Sequence, residues 1–145
     1  MRKSVLLALA ALWACCGGVE SKVRKGAVAA AIDQQPSRKG YLEAIGIGAA
    51  DSNLPSDTQR KALARDAAIV KAQYEMLSMT KGVELEGGIR VRQALEADST
   101  LEARLKDTIR GAEIVKTEFT SDNGCVVTLR LPKKRLEELM GVKFR

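Results

Sequence analysis

The first residues of this chain that invite chemistry are Leu12-Trp13-Ala14-Cys15, which close an apolar run over residues 5–13 preceded by Arg2 and Lys3. A thiol placed behind a small residue and an apolar run is the pattern on which a lipid is transferred to sulfur before the leader is cut away. Two cations hold such a leader at the cytoplasmic face while the apolar run enters the translocon. The run is too short to span a bilayer, which takes ~20 residues. Residues 1–14 are therefore expected to be removed, leaving Cys15 as a lipid-modified amino terminus. Cleavage after Ala14 without lipidation is the alternative, because Trp13 is bulky for a site that usually takes a small residue.

The remaining inventory argues against catalysis. There is no histidine, so the common general base, the common zinc ligand and every Ser-His or Cys-His nucleophile system are missing. Glu84 with Glu86, or Glu96 with Asp98, pairs carboxylates that could do acid–base work or hold a cation, but such pairs are usually solvated surface charge. Gly46-Ile47-Gly48 lacks both the Lys-Ser/Thr of a phosphate loop and the third glycine of a dinucleotide fingerprint, and close packing of a helix explains it better. Asp122-Asn123-Gly124 is far short of a calcium loop. The expectation is a protein that is not an enzyme, with no cofactor, no metal and no small-molecule substrate.

Charge narrows the partners. The chain has 24 Lys and Arg against 18 Asp and Glu; loss of Arg2 and Lys3 with the leader leaves 22 against 18, a net of +4. That surplus is mild, and after Trp13 leaves, the aromatics are Tyr41, Tyr74, Phe119 and Phe144. Nucleic acid is not an expected partner, because its binders pair a strong basic stripe with a recognisable motif or stacking aromatics. Of the cysteines, Cys15 is consumed by the lipid. Cys125 alternates with Val127, Leu129 and Leu131 and so should face a core; the residues leave open whether it or Cys16 enters a disulfide.

These residues need elements to position them. Residues 15–40 read as a lipid-anchored tether, opened by Gly17-Gly18, charged by Lys22, Arg24, Lys25, Arg38 and Lys39, and interrupted by Pro36 and Gly40. As a coil it would span about 25–30 Å. The globular domain covers 41–145. Residues 41–48 have strand character. A long amphipathic helix over 57–81 follows, with a capping box at Ser56 and Gln59 and a stop at Lys81-Gly82. Leu63, Ala67, Val70, Tyr74 and Leu77 recur along it at helical steps and are expected to form its core face, flanked by the mostly small Ala64, Ala68, Ala72 and Met76. Residues 83–91 read as an extended segment bent at Gly87-Gly88. Ser99 to Glu102 opens a short helix that stops at Gly111. A hairpin over 113–120 and 125–131 turns at Asn123-Gly124, and a last short helix past Pro132 buries Leu136, Leu139 and Met140. The expected fold is α+β: a small antiparallel or mixed sheet of about four strands, covered by one long and two short helices.

The strand Glu43-Ala-Ile-Gly-Ile-Gly48, the helix Ala64-Arg-Asp-Ala-Ala-Ile-Val-Lys-Ala-Gln-Tyr-Glu-Met-Leu77, the segment Lys81-Gly-Val-Glu-Leu85, Arg110-Gly-Ala-Glu-Ile-Val115 and Gly124-Cys-Val-Val-Thr-Leu-Arg-Leu-Pro132 together resemble the envelope lipoproteins of the Lpp-twenty type. Their domain is also similar to the N-terminal domain of the flagellar assembly protein T. The resemblance implies an α+β domain on a membrane-anchored protein without known catalysis, and it supplies no catalytic residues. The Arg-rich segment Ile89-Arg-Val-Arg92 and the tether fall outside it.

The functional expectation is a lipid-anchored interaction module of the bacterial envelope, at the outer membrane facing the periplasm. It would be held to the membrane through lipid on Cys15 and bind another envelope or flagellar component. A self-associating structural coat lipoprotein is the alternative. The residues expected to bind a partner are Arg90 and Arg92, alternating with Ile89 and Val91 on one strand face, and the basic cluster Lys133, Lys134 and Arg135.

Overall fold

The computed structural model describes residues 19–29 and 40–144. The expected leader, Cys15 and Cys16 lie outside the described residues. Two short strands, β1 (Val23–Arg24) and β2 (Ala27–Val28), form an antiparallel ribbon. The domain follows with β3 (Tyr41–Gly48), the 26-residue α1 (Asp57–Gly82), α2 (Val91–Ala97), α3 (Ser99–Arg110), β4 (Glu113–Phe119), β5 (Cys125–Pro132) and α4 (Lys133–Met140).

β5 sits between β3 and β4 in an antiparallel three-stranded sheet. The β4–β5 turn forms as its residues require: Asn123 takes φ +65° and the Thr120 N–H donates to the Gly124 carbonyl at 2.9 Å. Alternation assigns the faces. Leu42, Ala44, Cys125, Val127, Leu129 and Leu131 join α1 in the core, with Leu85, Val91, Leu95, Leu105, Ile109 and Leu136 closing it from the smaller elements. Directly opposed residues share a face, so the other side carries Tyr41, Glu43, Arg130, Lys116 and Glu118. On that side Arg130 binds Glu43 at 2.6 and 2.8 Å and lies 5.3 Å from the centre of the Tyr41 ring.

The glycines of β3 set the position of α1. A Cβ on Gly46 would stand 1.9 Å from the Ala68 carbonyl oxygen, and one on Gly48 the same distance from that of Ala64. The helix backbone therefore rests directly on the strand, as the small residues suggested. Opposite the glycines only the small side chains of Ala64, Ala68 and Ala72 fit, and Met76 and Thr80, further along, complete the buried face of the helix.

Three expectations change. The long helix is present, but Leu63, Val70 and Tyr74 are 49, 65 and 64 % exposed; the expected core face points outward, and the small flank forms the core contact. Residues 83–91 do not supply a fourth strand. Gly87 and Gly88, at φ +110° and +83°, reverse the chain so that the Leu85 N–H meets the Ile89 carbonyl and the Val91 N–H meets that of Val83. Val91 then opens α2, a third short helix. Finally, Ser56 makes no side-chain cap bond, while α3 is capped by Asp98, whose carboxylate accepts from the N–H groups of Thr100 and Leu101.

Candidate functional site

The ribbon is tied to the sheet face opposite α1. Glu118 accepts from the Ser21 hydroxyl and, at 2.8 Å, from the Lys22 N–H. Lys116 lies 3.7 Å from Glu118 and donates to the Val19 carbonyl at 3.0 Å. Further along, the Ser121 N–H donates to the Gly26 carbonyl at 2.8 Å. Burial pushes the Glu118 carboxyl up, but the Ser21 hydroxyl, the Lys22 N–H and the Lys116 ammonium outweigh it, and the group sits below the usual Glu range. Part of the segment expected as a tether is thus fastened to the domain, beginning four residues past Cys15.

On the other side of the sheet, Leu63, Ala67, Val70 and Tyr74 present an apolar stripe on the outward face of α1, which ends at Leu77, half-buried and packed partly against the core. Lys71 lies 5.2 Å from the centre of the Tyr74 ring and pairs with Glu75 at 2.8 Å; its pKa is raised by that hydrogen bond and the Glu75 charge. Asp66, beside the stripe, is 73 % exposed and lies 3.9 Å from Arg65.

The expected binding residues fall in two groups. Arg90 immediately precedes α2, and its N–H donates to the Gln93 side chain at 3.0 Å. Arg92 lies in the first turn of α2, 3.8 Å from Glu96. They therefore stand at a helix start and not on a strand face as expected, because the Gly87-Gly88 reversal ends the extended geometry. Lys133, Lys134 and Arg135 form the first turn of α4. Lys134 lies 3.8 Å from Glu138, and Arg135 donates to the Gly111 carbonyl at 3.3 Å. Topology puts both groups at one end of the domain. α1 runs antiparallel to β3, since Gly48 meets Ala64 and Gly46 meets Ala72; its C-terminus, and Arg90 after it, lie towards the Tyr41 end. Tyr41 pairs with Pro132, where α4 begins.

The backbone of Glu84 pairs with that of Arg90 in an isolated antiparallel bridge across the tight turn, and the Glu86 N–H donates to the Lys143 carbonyl at 2.9 Å. Glu86, Gly87, Gly88, Lys143 and Phe144 line an open cleft of about 540 Å³. Cys125 is fully buried, and burial pushes its thiol up, away from the reactive thiolate. Among the described residues no group of three or more Cys, Asp or Glu is placed to hold a metal ion, and no helix is long and apolar enough to cross a membrane. No protein-family model matches this chain, and no curated protein is significantly similar to it.

The outward stripe and the ribbon contacts are what sequence reading missed. The stripe carried a signal: its steps of four, three, four and three are those of a helix–helix seam as much as of a core face. The ribbon carried little, since two-residue strands and contacts almost a hundred residues apart leave no local pattern.

Proposed function

We propose that this protein is a lipid-anchored interaction module of the bacterial envelope, attached through Cys15 to the outer membrane on its periplasmic side, and that it binds another protein without catalysing a reaction. The observation that carries this reading is the cation–apolar run–lipobox sequence ending at Cys15, followed four residues later by a ribbon hydrogen-bonded to the domain. Four residues reach at most about 14 Å, so lipid on Cys15 would hold the β4 flank of the sheet close to the headgroups. The resemblance to the Lpp-twenty type supports the same assignment. The surface offered to a partner is the end of the domain towards Tyr41, with Arg90 and Arg92 at the start of α2 and Lys133 and Lys134 at the start of α4, whose ion pairs with Glu96 and Glu138 are long and exposed, while Arg135 also holds the Gly111 carbonyl.

The anchor is tested by fatty-acid labelling in cells. Cys15→Ser should give an unlabelled product, uncleaved or soluble; normal labelling in a variant lacking both Cys15 and Cys16 rules the anchor out. The binding end is tested by crosslinking in intact cells. Reversal of Arg90 and Arg92 to Glu should abolish partner capture at an unchanged melting temperature, and undiminished capture removes these residues from the surface.

A further inference from the structure

We infer that two copies of this chain associate side by side through the outward stripe of α1, in parallel and in register. With Leu63 at a d position of a heptad, Ala67 falls at a, Val70 at d and Tyr74 at a, a seam along the exposed side of the helix that ends at the next d position, half-buried Leu77, which packs partly against the core. Ala72, which meets Gly46, falls at f, the position opposite such a seam. One helix thus carries two apolar faces: small residues at steps of four rest on the sheet, and larger residues at heptad steps face away from it. A core explains the first face only.

The flanking charges choose a second copy as the occupant and set its direction. Asp66 is at g and Lys71 at e, and in a parallel pair each g residue faces the following e residue of the partner helix. Asp66 of each copy then meets Lys71 of the other, twice by symmetry, and Gln73 meets Ser78 in the same way. An antiparallel pair would set e against e and g against g, bringing Lys71 to Ala64 and Asp66 to Gln73 with no opposite charges joined. Asp66 has only a 3.9 Å contact with Arg65 and is free to turn towards the partner. The helix is already formed within its own domain, so association does not carry the cost of nucleating it. The inference stands on α1 alone and does not depend on the anchor.

The test uses the full-length protein, extracted in mild detergent and also oxidised in intact cells. A Val70→Cys variant should form a disulfide-linked dimer well above the parent chain, which carries Cys15 and Cys16 as background, whereas the exposed off-seam variant Ala62→Cys should not. Val70→Asp should cut the dimer fraction in sedimentation at least about tenfold by placing a charge in the seam, while at a dilution where the parent is monomeric the two chains should melt alike, because Val70 supports no core. A Val70→Cys chain that crosslinks no more than its parent, or a Val70→Asp chain that keeps its dimer, overturns the inference. So does crosslinking only between Ala67→Cys and Val70→Cys chains, which would mark an antiparallel pair. A parent chain that stays monomeric at high concentration also overturns it, and leaves the seam to a helix of another protein. Fatty-acid labelling reads the anchor separately, so either conclusion can fail alone.

Discussion

At the scale of single residues, most of the domain's precision lies in groups that are small or short. Gly46 is the sharpest case: a methyl group there would overlap the Ala68 carbonyl and reach within 2.4 Å of the Ala72 nitrogen, and neither backbone atom can turn aside. Gly46→Ala should destabilise the domain by about 3 kcal/mol, as overpacking does, read as a lowered midpoint in urea. Gly40→Ala is the comparison, since nothing lies near its missing Cβ and its cost comes only from φ +82°. Glu118 gives a pH-dependent counterpart. Its folded pKa is depressed, so its contribution is present above the ordinary Glu pKa and is lost as the pH falls through the depressed value. Acidification should therefore open the ribbon before the domain unfolds, seen as a loss of amide-exchange protection, relative to the intrinsic rate at each pH, over residues 19–29 while the sheet stays protected. Glu118→Gln should open it at neutral pH and flatten the pH dependence. Equal protection of Glu118→Gln and the parent at every pH would show that Glu118 does not hold the ribbon.

At the scale of elements, α1 shows what a sequence can and cannot disclose. Both ends were legible, because Ser56 with Gln59 and Lys81-Gly82 punctuate the chain, although Ser56 caps the helix without the side-chain bond its capping box implied. The inward face was not, because reading apolar size as burial fails wherever a strand glycine brings the helix backbone so close that only alanine fits. Measured at a dilution where the chain is monomeric, Met76→Ala should cost about 2–4 kcal/mol and lower the melting temperature by roughly 10–20 °C, while Val70→Ala should shift stability by no more than about 0.5 kcal/mol. Comparable losses from both would return the outward stripe to the core. The segment 83–91 was misread for a related reason. Its apolar positions fit a strand, but two adjacent glycines at positive φ reverse it within a few residues, and alternation cannot separate a short strand from a tight turn. Within the candidate site, Lys133, Lys134 and Arg135 were placed correctly at the start of a helix, while the single-face arrangement of Arg90 and Arg92 disappeared with the strand that carried it.

At the scale of the whole molecule, the sheet separates two surfaces. Its ribbon side leads back to Cys15 within a few residues, and its α1 side ends in the apolar seam. Were the ribbon free, the link from Cys15 to Tyr41 would be 26 residues, a coil spanning about 25–30 Å; with Val19 fixed to Lys116 and Ser21 and Lys22 to Glu118, the reach falls to about 14 Å. On the proposed anchor at Cys15, the ribbon would therefore set the height of the domain above the bilayer. Placing a donor dye on an Ala62→Cys, Cys16→Ser chain and acceptors in the headgroup layer makes that height measurable by energy transfer. Glu118→Lys reverses the charge that receives Ser21 and Lys22 and sets it against Lys116, so it should release the ribbon, lower the transfer efficiency and leave the melting of the three-stranded sheet nearly unchanged. Unchanged transfer alongside increased tryptic cleavage at Lys25 would show that the ribbon can open without moving the domain, and that height is set elsewhere.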